Sequence, residues 1–361
     1  MNQINSKLQP WIGKPIVDIA FILLPPFGCL LFIAIYPELF SNNTELSEVW
    51  WVILVLLIDV AHVYSTLYRT YFNNQIYSKQ KQILLSIPLF ATVTAIMIYS
   101  FSSILFWRIL AYIAVFHFIR QQYGFMRIYS RKEQIHKWFK NIDTITIYVA
   151  TLFPIIYWHL NSPRNFNWFI EGDFYIFQSK ILLTISWILY VITLIVYAIK
   201  EIIVYIKIKY WNAPRIAIIT GTILSWYFGI VYFNGDMAFT LLNVISHGVP
   251  YMALIWIDGK KRSKKTDSSF LQKTIFSKLG ILIFLLIIFL LAYFEEALWN
   301  MFVWKDGLSI FTYFTPITID KTVLNIIVPI LALPQITHYI IDGFIWKIKD
   351  DDFKWSNEKI K

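Results

Sequence analysis

The chain has 361 residues, 58% hydrophobic and only 15% charged, against about 25% charged in an ordinary soluble protein. Its mean hydropathy of +0.57 and its long apolar runs, each near the ~20 residues needed to cross a bilayer, exclude a soluble globular domain and give an all-α, polytopic integral membrane bundle. A net charge of +10 then reflects topology and contact with anionic headgroups, with no nucleic-acid partner.

Length and hydropathy predict about ten spans in a single transmembrane domain over 1–361, at roughly 16–37, 49–70, 82–101, 103–127, 142–160, 179–206, 214–233, 237–257, 275–294 and 322–347. The first contains Pro25-Pro26 and has no small-residue cleavage site after it, so it reads as a retained helix. It also holds Cys29, the only cysteine, which excludes an intrachain disulfide and a thiolate metal cluster. The third and fourth spans are separated only by Ser102-Ser103 and form an antiparallel pair. The 295–321 connection, with Trp299 and Trp304, has room for a short interfacial helix.

Positive charge favours the cytoplasm. With the N-terminus inside, the predicted inner segments and the span ends that join them hold 26 of the 32 Lys and Arg residues, five more lie on the outer side, and Arg120 is left over within a span. This places both termini in the cytoplasm and the chain in a bacterial inner (cytoplasmic) membrane. The run "KKRSKK" at 260–265 reads as a lipid-contacting flank and the tail from Lys347 as a solvated end.

Ionisable residues inside spans are expensive and point to function. Of the six histidines, His136 lies in a basic loop and His159 at a span end, and both read as interfacial. The other four occupy one span each: His62, His117, His247 and His338 lie in the second, fourth, eighth and tenth spans, which all run in the same direction. Counted to the next basic residue, their depths differ by only ~9 Å at 1.5 Å per residue. Tilt, or a kink at Gly248/Pro250, absorbs much of that difference, so the four imidazoles can share one layer.

Each has a polar companion at helical spacing: Asp59 for His62, Gln121 for His117, Asn243 for His247, and Asp342 and Gln335 for His338. A metal-bound histidine usually donates its second ring N–H to such a partner. Four imidazoles with one or two carboxylates suit a transition metal, iron first, with zinc, copper or manganese as other occupants. The plain reading of a lone membrane histidine is an interhelical hydrogen bond worth about 1 kcal/mol. Four at one depth, each with a partner, favour a shared metal or haem site. Arg120 either grips an anionic substrate group or snorkels to the interface. Tyr123, Tyr251 and Tyr339 follow the histidines closely, but aromatics are so abundant that plain packing accounts for each. Asp18 reads as interfacial.

Several chemistries are excluded by spacing. There is no HxxxH or HxxHH cluster of the di-iron desaturase type, no HExxH, no DDxxD-like run and no phosphate-cradling glycine loop. One histidine from each of four helices, with the His-Gly pair in "SHGVPY" at 246–251, resembles the architecture of Brp/Blh-type carotenoid oxygenases. Those proteins are polytopic and hold one iron with histidines from separate helices. The resemblance rests on His62, His117, His247 and His338 and covers no continuous stretch. It implies a metal-dependent oxidoreductase, with the four histidines as ligands. A site at membrane depth receives a lipophilic substrate laterally from the bilayer. Asp59 and Asp342 then serve as partners or further ligands, Arg120 and Gln121 orient substrate, and an external partner or the substrate supplies electrons. Two other classes fit the same residues: a haem-binding cytochrome or haem-modifying protein with paired axial histidines, and a proton-coupled transporter with His/Asp relays.

Overall fold

The structure is a computed structural model, and it describes residues 9–40, 46–264 and 269–346. Lys7, Lys265 and the tail from Lys347 lie outside the described residues. Among the described residues nine helices are long and apolar enough to cross a membrane, and ten if the bent pair Pro15–Leu23 and Pro25–Ile35 counts as one span. We number them α1 (that pair), α2 (Glu48–Arg69), α3 (Asn74–Phe101), α4 (Ser103–Ser130), α5 (Lys137–Leu160), α6 (Lys180–Ile208), α7 (Ala213–Tyr232), α8 (Asp236–Arg262), α9 (Gly280–Trp304) and α10 (Lys321–Ile345).

Local sequence accounts for the breaks. Pro25 and Pro26 have no N–H to return to the preceding turn, and α1 bends by 55° there. Asn73, Ser102, Ser179, Asn212 and Asp320 cap α3, α4, α6, α7 and α10 through side-chain oxygens. The backbone donors of Thr322 and Val323 hold the Asp320 carboxyl below the usual carboxylate range. The predicted interfacial helix at 295–321 is replaced by a continuation of α9. Its last turn, Asn300–Trp304, is π-helical, and a 3-10 turn at Ser309–Phe311 follows. Glu295 and Glu296, placed by hydropathy in a loop, are therefore buried inside α9.

Helix α8 is the axis of the bundle, with 78% of its most apolar window buried, against 11% for α6 and 17% for α3 at the periphery. It packs on α1, α2 and α7, while α10 packs on α2, α3 and α4. The four helices that carry His62, His117, His247 and His338 pack in a ring, α8 on α2, α2 on α10, α10 on α4 and α4 on α8.

Several cations that hydropathy reads as loop charge are instead buried in ion pairs. Arg69 binds Asp258 of α8, donates to the carbonyl of Ile345 at 2.6 Å and lies 3.9 Å from the Trp346 ring centre. It therefore ties together the ends of α2, α8 and α10. Farther round the bundle, Lys200 meets Asp143 at 2.6 Å and Glu201 at 2.8 Å. Arg215 meets Asp143 at 2.7 Å, Glu201 at 2.8 Å and Glu133 at 3.2 Å. Removing one partner of a buried pair strands the other charge. Arg69→Leu is expected to lower stability by roughly 3–5 kcal/mol, read as earlier thermal unfolding in detergent, whereas an exposed cation such as Lys180 changed to Leu shifts it little.

Candidate metal centre

His62, His117, His247 and His338 converge. One ring nitrogen from each lies within 4.8 Å of the others, and none of the four residues is more than 3% exposed. The Nε2 atoms of His62 and His247 are 3.1 Å apart, as are those of His117 and His338. Neighbouring ligands on a metal bound at about 2.0–2.1 Å stand roughly 3.0–3.4 Å apart, so both pairs already have the spacing of adjacent ligands.

Backbone features make this approach possible. His62 follows the π-helical stretch Val52–Val60 of α2, and such irregularities are frequent at functional sites. On α8, Gly248 follows His247. A Cβ at Gly248 would stand 2.8 Å from the Ile58 side chain and 3.1 Å from its carbonyl oxygen. Only the missing side chain lets α8 lie against α2 closely enough for His247 to meet His62. Two residues on, Pro250 leaves the carbonyl of Ser246 without its helical donor. Gln122 supplies one through Nε2 at 3.2 Å, and Gln121 donates to the next carbonyl, of His247, at 2.8 Å.

The outward-facing nitrogens determine which tautomer each ring adopts. Tyr251 donates its only hydroxyl hydrogen to Asp342 at 2.7 Å. Its 3.0 Å contact with Thr66 therefore needs Thr66 as donor. That uses the Thr66 hydrogen, so in the 2.7 Å contact between Thr66 and His338 Nδ1 the histidine donates. With Asp342 as the carboxylate, His338 is the Nδ1–H tautomer, and its Nε2 lone pair faces the centre. Nδ1 of His62 lies 3.3 Å from the carbonyl of Ile58 and 3.7 Å from Asp59, two acceptors that select the same tautomer. His117 Nδ1 lies 3.7 Å from Asp342. His247 Nδ1 has no hydrogen-bond partner; its ring is instead stacked on Phe118, 3.6 Å between centres and 8° from parallel. Lone pairs aimed at one buried point are what a cation requires.

The predicted companions are in part redistributed. Asp342 lies beside His117 and reaches His338 only through Tyr251 and Thr66, which makes the direct contact. Spacing along one helix missed this because the partners come from neighbouring helices. Asp59 stays with His62. Asn243 donates to the Phe239 carbonyl at 2.9 Å and not to His247. Gln121 holds the α8 backbone, with its Oε1 buried and unpartnered. Arg120 is exposed, bonds Tyr148 at 2.8 Å and lies over Tyr123, so its head group turns away from the histidines. Of the two interfacial histidines, His136 caps α5 and His159 bonds Tyr112. Asp18, predicted as interfacial, is buried and accepts from the N–H groups of Ile12 and Gly13.

Sequence reading missed Thr66, Glu295 and the role of Tyr251. Thr66 is four residues after His62, a spacing that could have singled it out. Glu295 accepts from Trp299 at 3.3 Å, and its other oxygen is buried without a hydrogen-bond partner.

No protein-family model, curated protein or solved structure matches the chain. The site's chemistry is therefore read from its own residues.

Two substitutions probe the geometry. Thr66→Val breaks the chain that fixes His338 and is expected to weaken metal binding by roughly 10–100-fold, measured by competition with a chelator. Gly248→Ala forces α8 from α2 and should cost about 1–3 kcal/mol of stability as well as metal affinity; unchanged values for both would refute the close-packing account.

Proposed function

We propose that the protein is a metal-dependent membrane oxidoreductase, with non-haem iron at the four-histidine centre and a lipophilic substrate. The observation that carries this reading is the set of buried ring nitrogens within 4.8 Å, with His338 and His62 held as tautomers that present a lone pair. Imidazole nitrogens suit iron, copper and zinc. The oxidoreductase assignment follows from iron, which when bound supplies redox chemistry and positions open to dioxygen.

The chain's own residues have separable tasks. His62, His117, His247 and His338 would hold the ion. Thr66 and Tyr251 keep the His338 ring oriented through Asp342, and Asp342 and Asp59 face the Nδ1 atoms of His117 and His62. Phe118 and the surrounding apolar helices exclude water. The apolar surroundings favour an uncharged, lipophilic substrate. Electrons would come from a partner or from the substrate.

Geometry counts against haem. Axial histidines stand on opposite sides of the iron, about 4 Å apart at twice a metal–nitrogen bond, with the macrocycle between them. Here the pairs are 3.1 Å apart, and all four rings crowd the space a porphyrin would fill. A proton-coupled transporter has one observation in its favour, the hydrogen-bonded chain His338–Thr66–Tyr251–Asp342.

Metal analysis of detergent-purified protein separates these readings. The expected result is stoichiometric iron without a Soret band, lost on changing any one of the four histidines to alanine. Protein that purifies without metal and cannot be loaded with ferrous ion would reject the metal reading and leave the relay. Zinc in place of iron would keep the site and reject the redox chemistry.

A further inference from the structure

Two apolar clefts open on the sides of the bundle beside α4, and helical phase tells them apart. The first, of about 320 Å³, lies between α3, α4 and α10 and is lined by residues that include Ala91, Thr94, Ala95, Leu110, Ile113 and Ile340. The second, of about 400 Å³, lies between α4 and α5 and includes Tyr112, Phe116 and Ile156. Leu110 and Ile113 are seven and four residues before His117 and share its face of the helix. Tyr112 and Phe116 lie on a different face.

Tyr339 does not line the first cleft, but it links the residues around that cleft to the metal centre. Tyr339 packs against the hydrophobic cluster that includes Ala91, Ala95, Leu110 and Ile336. It also meets the rings of His117 and His338, with centres 5.0 and 5.6 Å away. On α10 it lies between His338, which faces the centre, and Ile340, which faces the cleft.

We propose that the cleft between α3, α4 and α10 holds the hydrocarbon chain of the substrate and delivers it past Tyr339 to the four-histidine centre. This rests on the membrane and metal reading above and specifies its substrate as a slender, uncharged chain. The occupant follows from the walls. Only Ser86 and Thr94 are polar among the lining residues, and the Ser86 hydroxyl is spent on the Gln82 carbonyl. The Thr94 hydroxyl is the one polar group the lining leaves to a ligand, and no lining residue offers a charge to a headgroup. Along α3 the lining runs from Ser86 to Ile98, about 18 Å of helix at 1.5 Å per residue. This suits an extended chain better than a compact ring system. The volume lies within the range of about 300–1,000 Å³ typical of small-molecule sites.

The test uses the full chain in phosphatidylcholine vesicles and a long-chain fatty alcohol bearing a photoactivatable diazirine as probe. Labelled peptides are mapped by mass spectrometry, and metal content is measured on the same preparations. Label is expected on residues 86–98 and 106–113. It should fall roughly tenfold in Thr94→Trp, the factor produced by displacing about two methylenes, while Ile156→Trp in the second cleft leaves it unchanged. Ile113→Trp is the substitute if Thr94→Trp does not fold. Label spread equally over both clefts, or unmoved by the tryptophan in metal-replete protein, would overturn the proposal. So would equal labelling of the first cleft by a diazirine-bearing phospholipid, which would make it a seat for ordinary bilayer lipid. Cleft-specific label on protein that holds no metal would support the cleft and reject the metal reading separately.

Discussion

The rest of the structure depends on the cost of placing four imidazoles at one point inside an apolar bundle. Each ring carries a donor and an acceptor, and neither finds water there. Two outward nitrogens are answered by neighbouring helices, Thr66 for His338 and the Asp342 carboxylate beside His117, and that of His62 by the Ile58 carbonyl of its own helix. Once His338 and His62 are committed as outward donors, their inward lone pairs can accept either an N–H of the ring 3.1 Å away or a shared cation. A shared cation serves all four rings at once.

Holding the rings there requires close backbone approach on one side and anchoring on the other. Gly248 removes the side chain that would keep α8 from α2. Pro250 frees a carbonyl that Gln122 then captures, which locks α4 to α8. Toward the ends of the same helices, Arg69 joins α2, α8 and α10 through one buried guanidinium. The centre is thus supported through three helix contacts that involve no histidine, and peripheral helices such as α6 are free to present apolar surface outward.

Much of this was legible from one dimension. Most helix ends lie within about five residues of the limits hydropathy sets, but α3 begins at Asn74 instead of 82, and α9 runs on to Trp304, past the pair Glu295-Glu296 that looked like the start of a loop. Hydropathy cannot distinguish a charge that leaves the apolar phase from one buried against Tyr64 and Trp299. The same ambiguity affected Arg69, Lys200 and Arg215, which read as loop charge and are in fact buried ion pairs.

By itself, the sequence determined the all-helical class with its long apolar helices, the shared depth of His62, His117, His247 and His338, and their selection as one group. Depth follows from rise per residue and from the cost of polar groups in an apolar phase, both local properties. Only the tertiary structure decided which side chain serves which ring. Asp342 shares a helix with His338 yet lies beside His117, Asn243 turns to its own backbone, and Arg120 points outward. Those choices depend on interhelical distances of a few Å, set by Gly248, Pro250 and the side chains between helices, and periodicity along a single helix does not encode them.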